Sequence, residues 1–399
     1  MARNQARGRL DAAVEKSRVT ILYGLPRVGR SVLLADWSDD QNGLQRVKAE
    51  DVATCEAPLQ VLDHLNFAGA GVFVDGYRSI EAVRPTRFVI APVDLAATRY
   101  LQEELTAGAH LMVLDPLQRH EWRAEALQSA EPAGPEIDLV PVETATNQPP
   151  FNSDRHWLRG GLPESLEAAS DAASLQARRQ LIDGLMLRDY ARWGITPGLQ
   201  LTDFLTWVSN QNGGEFDLAQ PPIGKQADAR SAMVLLSRLG VVRQLRNFPG
   251  GSTASLSLKP KIYIRDSGLL HAVWGFETMD QLRSYPQKLG DSWEGYAIET
   301  LIQAADRPGT EQFYRKPGPQ GPDEIDLVLD FRAHNGKLVA IECKVSPDEP
   351  PRPGYHRALD AIGATDGFVV HSGAEANLAA ETHRLDLDSA RMRVLDLSR

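Results

Sequence analysis

The chain has 399 residues, enough for two or three domains, and its 42% apolar and 24% charged residues are typical of globular proteins. The net charge of −10 excludes a generally basic surface, so any contact with nucleic acid needs local basic patches. Cys55 and Cys343 are too few for a disulfide framework or a zinc site. No apolar run is long enough to span a membrane, and no signal peptide is evident. We therefore expect a cytoplasmic protein without membrane contact.

The first 125 residues predict an α/β domain with a parallel sheet. The runs VTILYG, AGVFVDG and RFVIAPVD are expected to be strands, and GRSVLLADWS is expected to be a helix. Residues 126–158, rich in Pro, Asn, Ser and Thr, predict a linker.

A glycine turn lies between the first strand and the first apolar helix, in the segment ILYGLPRVGRSVLL. Its spacing fits a phosphate-binding P-loop with Gly24, Gly29 and Ser31. Arg30 stands where a working P-loop has Lys, and a planar guanidinium must sit displaced from the position of that ammonium. The backbone N–H groups still favour phosphate, so ATP binding is expected. The alternative is that the two glycines only shape a strand-to-helix turn.

Residues 159–258 show helical periodicity and then β-branched residues, the helix–helix–strand outline of a winged helix. A basic stripe within this segment could contact DNA phosphates. The alternative is that the segment is a lid or packing module with ordinary surface arginines. The candidate residues for DNA contact are Arg230, Arg238, Arg243 and Arg246.

Residues 259–399 predict a second α/β domain that contains a hairpin. DEIDLVLDFR and KLVAIECKV alternate apolar and polar residues on either side of Asn-Gly, a strong hairpin signal. Glu342 and Lys344 share one face of the second strand, and Asp326 should lie nearly opposite them.

Two carboxylates and a lysine at one place suit magnesium chemistry on a phosphodiester. Asp326 and Glu342 could hold Mg²⁺, which polarises a phosphoryl oxygen and activates a bound water. Lys344 could orient that water or stabilise the charged phosphate, and Glu294 could complete the site, with Glu299 as the reserve. The alternative is a set of solvated surface charges.

The segments that carry a family resemblance are, in chain order, the P-loop segment, RGGLPESL, KPKIYIRDSGLLHAVWG, GDSWEGYAIETLI, EIDLVLD and LVAIECK. With them the chain resembles a bacterial and archaeal family of AAA-type ATP-binding proteins. Its members carry a C-terminal domain of unknown function, number 4143. The resemblance covers nearly the whole chain and implies a restriction-endonuclease-like fold for the C-terminal domain. It assigns the catalytic positions to Glu294, Asp326, Glu342 and Lys344.

The P-loop half departs from that family at several functional positions. Asp75 of VFVDGYR is expected to end the Walker B strand and help to hold Mg²⁺, but Gly76 stands where the water-activating Glu would be. Ala91 and Ala109 replace the polar sensor and the arginine of the relatives. Together with Arg30, these losses predict a degenerate domain that binds ATP and hydrolyses little or none.

The sequence therefore predicts three parts: a degenerate P-loop domain at 1–125, a helical and winged-helix domain at 159–258, and a restriction-endonuclease-like domain at 259–399. The expected function is DNA processing, with DNA as partner and Mg²⁺ and ATP as cofactors. It includes a possible Mg²⁺-dependent endonuclease activity. The alternatives are a non-catalytic DNA-binding or scaffold protein, or an ATP-binding switch with weak ATPase activity. An oligomer or a mixed assembly with an active ATPase is also expected.

Overall fold

The structure is a computed structural model that describes residues 3–105, 108–122, 153–188, 201–218, 221, 226–250, 259–319, 321–373 and 384–399. These residues divide into two compact units. The first comprises residues 1–156 and 160–167, and the second comprises 157–159 and 168–399. Most of the predicted linker at 126–158 lies outside the described residues.

The first unit is built on a five-stranded parallel sheet with helices between the strands. The sheet order is β2-β3-β4-β1-β5, and every neighbouring pair is parallel. The elements are α1 (Asn4–Lys16), β1 (Val19–Gly24), α2 (Arg30–Asp39), β2 (Leu44–Arg46), β3 (Leu59–Leu65), α3 (Phe67–Ile80), β4 (Arg87–Pro92), α4 (Leu95–Glu104) and β5 (Ala109–Leu114).

The prediction of a strand over AGVFVDG is wrong, because this segment belongs to helix α3. Its apolar side chains recur at helical spacing, with Ala70, Phe73, Val74 and Tyr77 buried. Asn66 caps the helix by accepting a hydrogen bond from the backbone N–H of Gly69. The predicted strand over RFVIAPVD is confirmed as β4.

The second unit begins with helices and a two-stranded hairpin. Strand β6 pairs antiparallel with β7, so the segment before residue 259 and the segment after it share one small sheet. The elements are α5 (Ser153–Arg159, whose residues 153–156 belong to the first unit), α6 (Pro163–Leu166, which belongs to the first unit), α7 (Asp171–Arg188), α8 (Leu201–Ser209), α9 (Gln226–Arg238), β6 (Val242–Leu245) and β7 (Lys261–Ile264).

A second five-stranded sheet, ordered β12-β11-β10-β9-β8, forms the rest of this unit. Strands β8, β9 and β10 are antiparallel neighbours, whereas β10, β11 and β12 run parallel. The elements are α10 (Ser267–Trp274), α11 (Met279–Arg283), α12 (Pro286–Ala305), β8 (Glu311–Lys316), β9 (Asp323–Phe331), α13 (Arg332–Asn335), β10 (Lys337–Lys344), α14 (Pro353–Ile362), β11 (Asp366–His371), β12 (Arg384–Asp386) and α15 (Leu387–Leu397).

Helices cover both faces of this mixed sheet. On one face, α12 packs Trp293 and Leu301 into a core that includes Ile341. On the other face, α14 packs Tyr355 and Ala358 against Leu338 and Ala340. The Tyr355 hydroxyl donates to the carbonyls of Ala340 and Phe368, which fixes α14 on β10 and β11.

The predicted hairpin between β9 and β10 is confirmed, with Phe331 paired to Lys337. The connection is longer than an Asn-Gly turn, because one helical turn, α13, precedes Gly336 at φ +80°. Strand β9 contains a bulge, because Gln312 of β8 pairs with Val328 whereas Tyr314, two residues later, pairs with Ile325, three residues earlier in β9. The bulge interrupts the alternation of side chains between the two faces of the strand that the sequence predicts.

A buried histidine makes the stability of the second unit depend on pH. The ring of His271 lies 2.7 Å from the Ser292 hydroxyl and 2.9 Å from the Leu158 carbonyl oxygen, and burial lowers its pKa to about 3. The unfolded chain takes up this proton near pH 6.5 and the folded chain only near pH 3. Stability therefore falls as pH drops through that window, by about 1.4 kcal/mol per pH unit.

We expect His271→Gln to flatten this pH dependence in urea unfolding at pH 7 and pH 5, although it lowers stability at both. His356→Gln, on the exposed face of α14, should keep the wild-type slope. An unchanged slope in His271→Gln would contradict the assignment.

Candidate functional site

The glycine turn of the first unit connects β1 to α2 as predicted. Gly24 ends β1, and Gly29, at φ +94°, precedes the first residue of α2. Gly29 stands at the N-cap and offers no side chain to the first backbone N–H groups of this helix. Arg27 also adopts a positive φ of 62°, and its guanidinium contacts Glu164 at 2.7 Å.

Arg30 connects helix α2 to the end of strand β4. Its guanidinium donates a hydrogen bond to the Pro92 carbonyl. Burial lowers the pKa of Arg30 from its ordinary value. The side chain is therefore held by the protein's own backbone.

The structure places Asp75 on the exposed side of α3 and not at the end of a strand. Strand β3, which lies between β2 and β4, was not predicted, and it carries Asp63 near its carboxyl end. The next residue, His64, has φ +59°, and its Nε2 lies 3.4 Å from Oγ of Ser31. Asp63 is therefore next to the residue that contacts Ser31, whereas Asp75 lies on the exposed side of α3.

In the second unit, all four predicted catalytic side chains lie in one charged cluster. Glu294 comes from α12, Asp326 from the bulge of β9, and Glu342 and Lys344 from the end of β10. Three further residues, which sequence reasoning missed, lie between them. The members of the charged cluster are Lys261, Glu294, Glu324, Asp326, Glu342, Lys344 and Arg352.

Two of the missed residues are cations that contact several acids. Nζ of Lys261 lies 2.8 Å from Glu324, 3.2 Å from Glu294 and 3.4 Å from Asp326. Arg352, the residue before α14, lies 3.1 Å from Glu324, 3.1 Å from Asp326 and 3.2 Å from Glu342. The sequence alone does not identify either cation as part of the site, because Lys261 is simply the first residue of β7 and Arg352 simply precedes a helix.

The bulge and the backbone fix Asp326. Its Oδ2 accepts a hydrogen bond from the Cys343 backbone N–H at 2.9 Å, while Oδ1 faces Lys261 and Arg352. Burial favours the neutral acid, but Arg352, Lys261 and the Cys343 N–H together lower the Asp326 pKa. Asp326 is therefore held ionised with one oxygen directed at the cations.

The Glu342 side chain is fully buried, and the nearby cations offset only part of the free-energy cost of burying its charge. Its Oε1 lies 3.0 Å from Lys344 and 3.2 Å from Arg352, but Oε2 has no hydrogen-bond partner in the described part of the chain. Burial and the charge of Asp326 raise the Glu342 pKa to about 8. A free, desolvated carboxylate oxygen attracts a proton or a cation.

Glu294 is oriented by its neighbours at the amino-terminal half of α12. Its Oε1 accepts a hydrogen bond of 2.7 Å from the Tyr263 hydroxyl and lies near Lys261. Burial, followed by the charge of Asp326, raises the Glu294 pKa. Glu299, the reserve candidate, lies outside the charged cluster and contacts Arg243 and Arg265.

No group of three or more His, Cys, Asp and Glu side chains is arranged to hold a metal ion in the described ranges. The geometry explains this finding, because Lys261 and Arg352 lie between the carboxylates and contact them at salt-bridge distances.

The predicted DNA-contacting arginines divide into two kinds. Arg230, Arg238 and Arg246 are exposed. Arg243 is partly buried, and its guanidinium contacts Glu299 and Glu311, so it belongs to an ion-pair network and is a poor candidate for phosphate contact.

Among the helices that the structure describes, none has the length and apolar character needed to cross a membrane.

Comparison with known proteins gives a partial family match. Residues 151–280 match the model of a domain of unknown function, DUF8612, which differs from the domain of unknown function 4143 expected from the sequence motifs. An uncharacterized protein of Mycobacterium tuberculosis, Rv2008c, is 28% identical over 350 residues, which cover 86% of this chain and 74% of that protein. Mb2031c of Mycobacterium bovis, also uncharacterized, gives the same values.

Solved structures with similarity include P-loop ATPases. The Walker-type ATPase paby2304 of Pyrococcus abyssi is 11% identical with a TM-score of 0.42, covering 68% of this chain and 95% of that one. The ORC1 protein of Aeropyrum pernix, solved in complex with DNA, is 12% identical with a TM-score of 0.26, covering 70% and 94%. Both scores are low, so the description of the fold rests on this chain's own strand order.

Proposed function

We propose that the second unit is a divalent-metal-dependent phosphodiesterase that acts on nucleic acid. The observation that carries the proposal is the charged cluster, in which Glu294, Asp326, Glu342 and Lys344 converge from three separate elements. Surface charges brought together by chance would be solvated, whereas Asp326 and Glu342 are fully buried. A mixed sheet with helices on both faces also supports the expected restriction-endonuclease-like fold.

The residues present fit a hard divalent cation. Asp326 directs Oδ1 and Glu342 directs Oε1 toward the same guanidinium, so the two oxygens already share one cation. The free Oε2 of Glu342 offers a further oxygen ligand. Asp326 and Glu342 would hold Mg²⁺ or Mn²⁺, which polarises a phosphoryl oxygen and activates a bound water.

The remaining groups would act on substrate and water. Lys344 is held 3.0 Å from Glu342, where its ammonium can stabilise the negative charge that develops on the phosphate. Glu294, oriented by Tyr263, has a raised pKa, which suits a group that exchanges a proton with water.

Nucleic acid is the proposed substrate because basic side chains are exposed on the same unit. Arg230 and Arg238 lie on α9, and Arg246 follows β6. Helices α8 and α9 followed by the β6–β7 hairpin support the winged-helix expectation, in which such residues contact phosphates. Binding through them would weaken as salt rises.

The test is nicking of supercoiled DNA with Mg²⁺ or Mn²⁺, by wild type, Lys344→Met and a control, Lys337→Met, at the other end of β10. We expect cleavage that EDTA abolishes, a loss of about 10²-fold or more in Lys344→Met, and wild-type activity in Lys337→Met. DNA binding without cleavage in wild type would instead support the scaffold alternative.

A second candidate function, ATP binding with little or no hydrolysis, is favoured in the first unit by one observation. Asp63 lies near the carboxyl end of β3, and the next residue, His64, contacts Ser31 of the glycine turn, so Asp63 could assist Mg²⁺ at a bound phosphate. The residue after Asp63 is His64, so the water-activating carboxylate that hydrolysis requires is absent from this position.

This candidate predicts different effects for two aspartates. Asp63→Asn should lower Mg²⁺-dependent binding of a fluorescent ATP analogue by about 10-fold, because a magnesium-supporting carboxylate is lost. Asp75→Asn should bind as wild type, since Asp75 is exposed on α3. Equal binding by both variants and wild type would argue against an Asp63 role.

A further inference from the structure

Arg352 contacts more acids of the charged cluster than any other described cation in it. It lies within 3.2 Å of Glu324, Asp326 and Glu342 and 4.0 Å from Glu294. Its Nη2 and Nε lie against Asp326 Oδ1 and Glu342 Oε1, the two oxygens proposed above to hold the metal.

The backbone around Arg352 is fixed, whereas its side chain is not enclosed. A Cβ at Gly354 would lie 2.1 Å from the Pro322 carbonyl oxygen, so α14 packs tightly against the segment before β9. The Tyr355 hydroxyl bonds fix the same helix end on the sheet. The Arg352 side chain is 36% exposed, while the Asp326 and Glu342 side chains are not exposed at all.

We propose that Arg352 is a resident counter-ion that occupies the position of the divalent cation and must leave the carboxylates before the metal binds. The proposal rests on the proposed function. A divalent ion bonds carboxylate oxygens at about 2.0–2.6 Å, and a guanidinium bridging the same oxygens would then face a doubly charged neighbour. The exposed side allows the guanidinium to swing toward solvent, where a substrate phosphate can replace its carboxylate partners.

This exchange has a function for a nuclease. In the metal-free protein Arg352 neutralises buried acids that would otherwise repel one another. Metal binding is then weakened by the competition, and a substrate phosphate that pairs with the guanidinium strengthens it. Sequence reasoning missed this residue because it lies in the loop after β10 and reaches the cluster only through the packing of α14.

The test is calorimetric titration of the full-length protein with Mn²⁺ alone, without nucleic acid. Arg352→Gln should bind Mn²⁺ at least about 10-fold more tightly than wild type, and its Tm without metal should fall. Arg357→Gln is the matched control, because Arg357 lies on the same helix, is 40% exposed and contacts Asp323 outside the charged cluster.

Each outcome decides one of the two proposals. Mn²⁺ binding by Arg352→Gln that is equal to or weaker than wild type overturns the counter-ion proposal and leaves the metal site intact. No Mn²⁺ binding by either protein removes the metal site and the counter-ion together. If Arg352→Gln does not fold, Arg352→Lys serves, and its single ammonium should give an affinity above that of wild type.

Discussion

Glu342→Gln and Asp326→Asn should each abolish most metal-dependent cleavage while the protein stays folded. Each substitution removes a carboxylate that the proposed function assigns to the metal. Mutation of a residue that only supports a metal ligand typically lowers metal affinity or activity 10- to 100-fold, and loss of the ligand itself should lower activity further. We expect the cleavage rate to fall by more than about 100-fold. Glu342→Gln should preserve or raise stability, because the acid it replaces is buried and only partly compensated.

The control for this pair is Glu349→Gln. Glu349 lies 3.7 Å from Lys344 but is half exposed and contacts neither Asp326 nor Arg352 in the described contacts. The Glu349→Gln variant should cleave DNA at a rate within a few-fold of the wild-type rate. Cleavage by Glu342→Gln at the wild-type rate, with Tm unchanged, would show that the activity does not depend on this cluster.

Lys261→Met should destabilise the second unit severely, by about 3–5 kcal/mol, since it leaves buried carboxylates without their cation. Burial lowers the Lys261 pKa, but Glu294 and the other nearby acids raise it well above its ordinary value, so the ammonium is charged in the folded protein. It also lies 5.7 Å from the centre of the Phe313 ring. Urea unfolding followed by tryptophan fluorescence measures the loss.

Lys259→Met is the matched control, two residues earlier in the chain. Lys259 is exposed and contacts Asp217 at 2.8 Å, so its removal should change the unfolding midpoint little. If Lys261→Met unfolds at the wild-type urea concentration, the buried ion contacts contribute nothing to the fold.

The local patterns in the sequence predicted the C-terminal hairpin and the set of acids on it. Period-two alternation and the Asn-Gly turn identified β9 and β10, and with them Asp326, Glu342 and Lys344. The bulge at Asp326 could not be predicted, because it depends on the pairing of β9 with β8. Lys261 and Arg352 were also beyond prediction, because long-range packing alone brings them to the acids.

The P-loop half shows where residue type misleads. The segment at α3 contains glycines, which disfavour a helix, and Val and Phe, which favour a strand, yet its apolar side chains recur at helical spacing. The real strand, β3, carries Leu59, Val61 and Leu62 before Asp63, but its alternation is interrupted by the positive φ of His64, which the sequence does not reveal. The P-loop turn itself was predictable, because glycine spacing reports backbone conformation directly.

Anomalous diffraction from crystals of the protein grown with Mn²⁺ would show directly whether the charged cluster binds a metal. We predict a manganese peak bonded to Asp326 and Glu342, with the Arg352 guanidinium turned away from both. Saturating Mn²⁺ with no peak at these carboxylates, and Arg352 still bridging them, would contradict the proposed metal site.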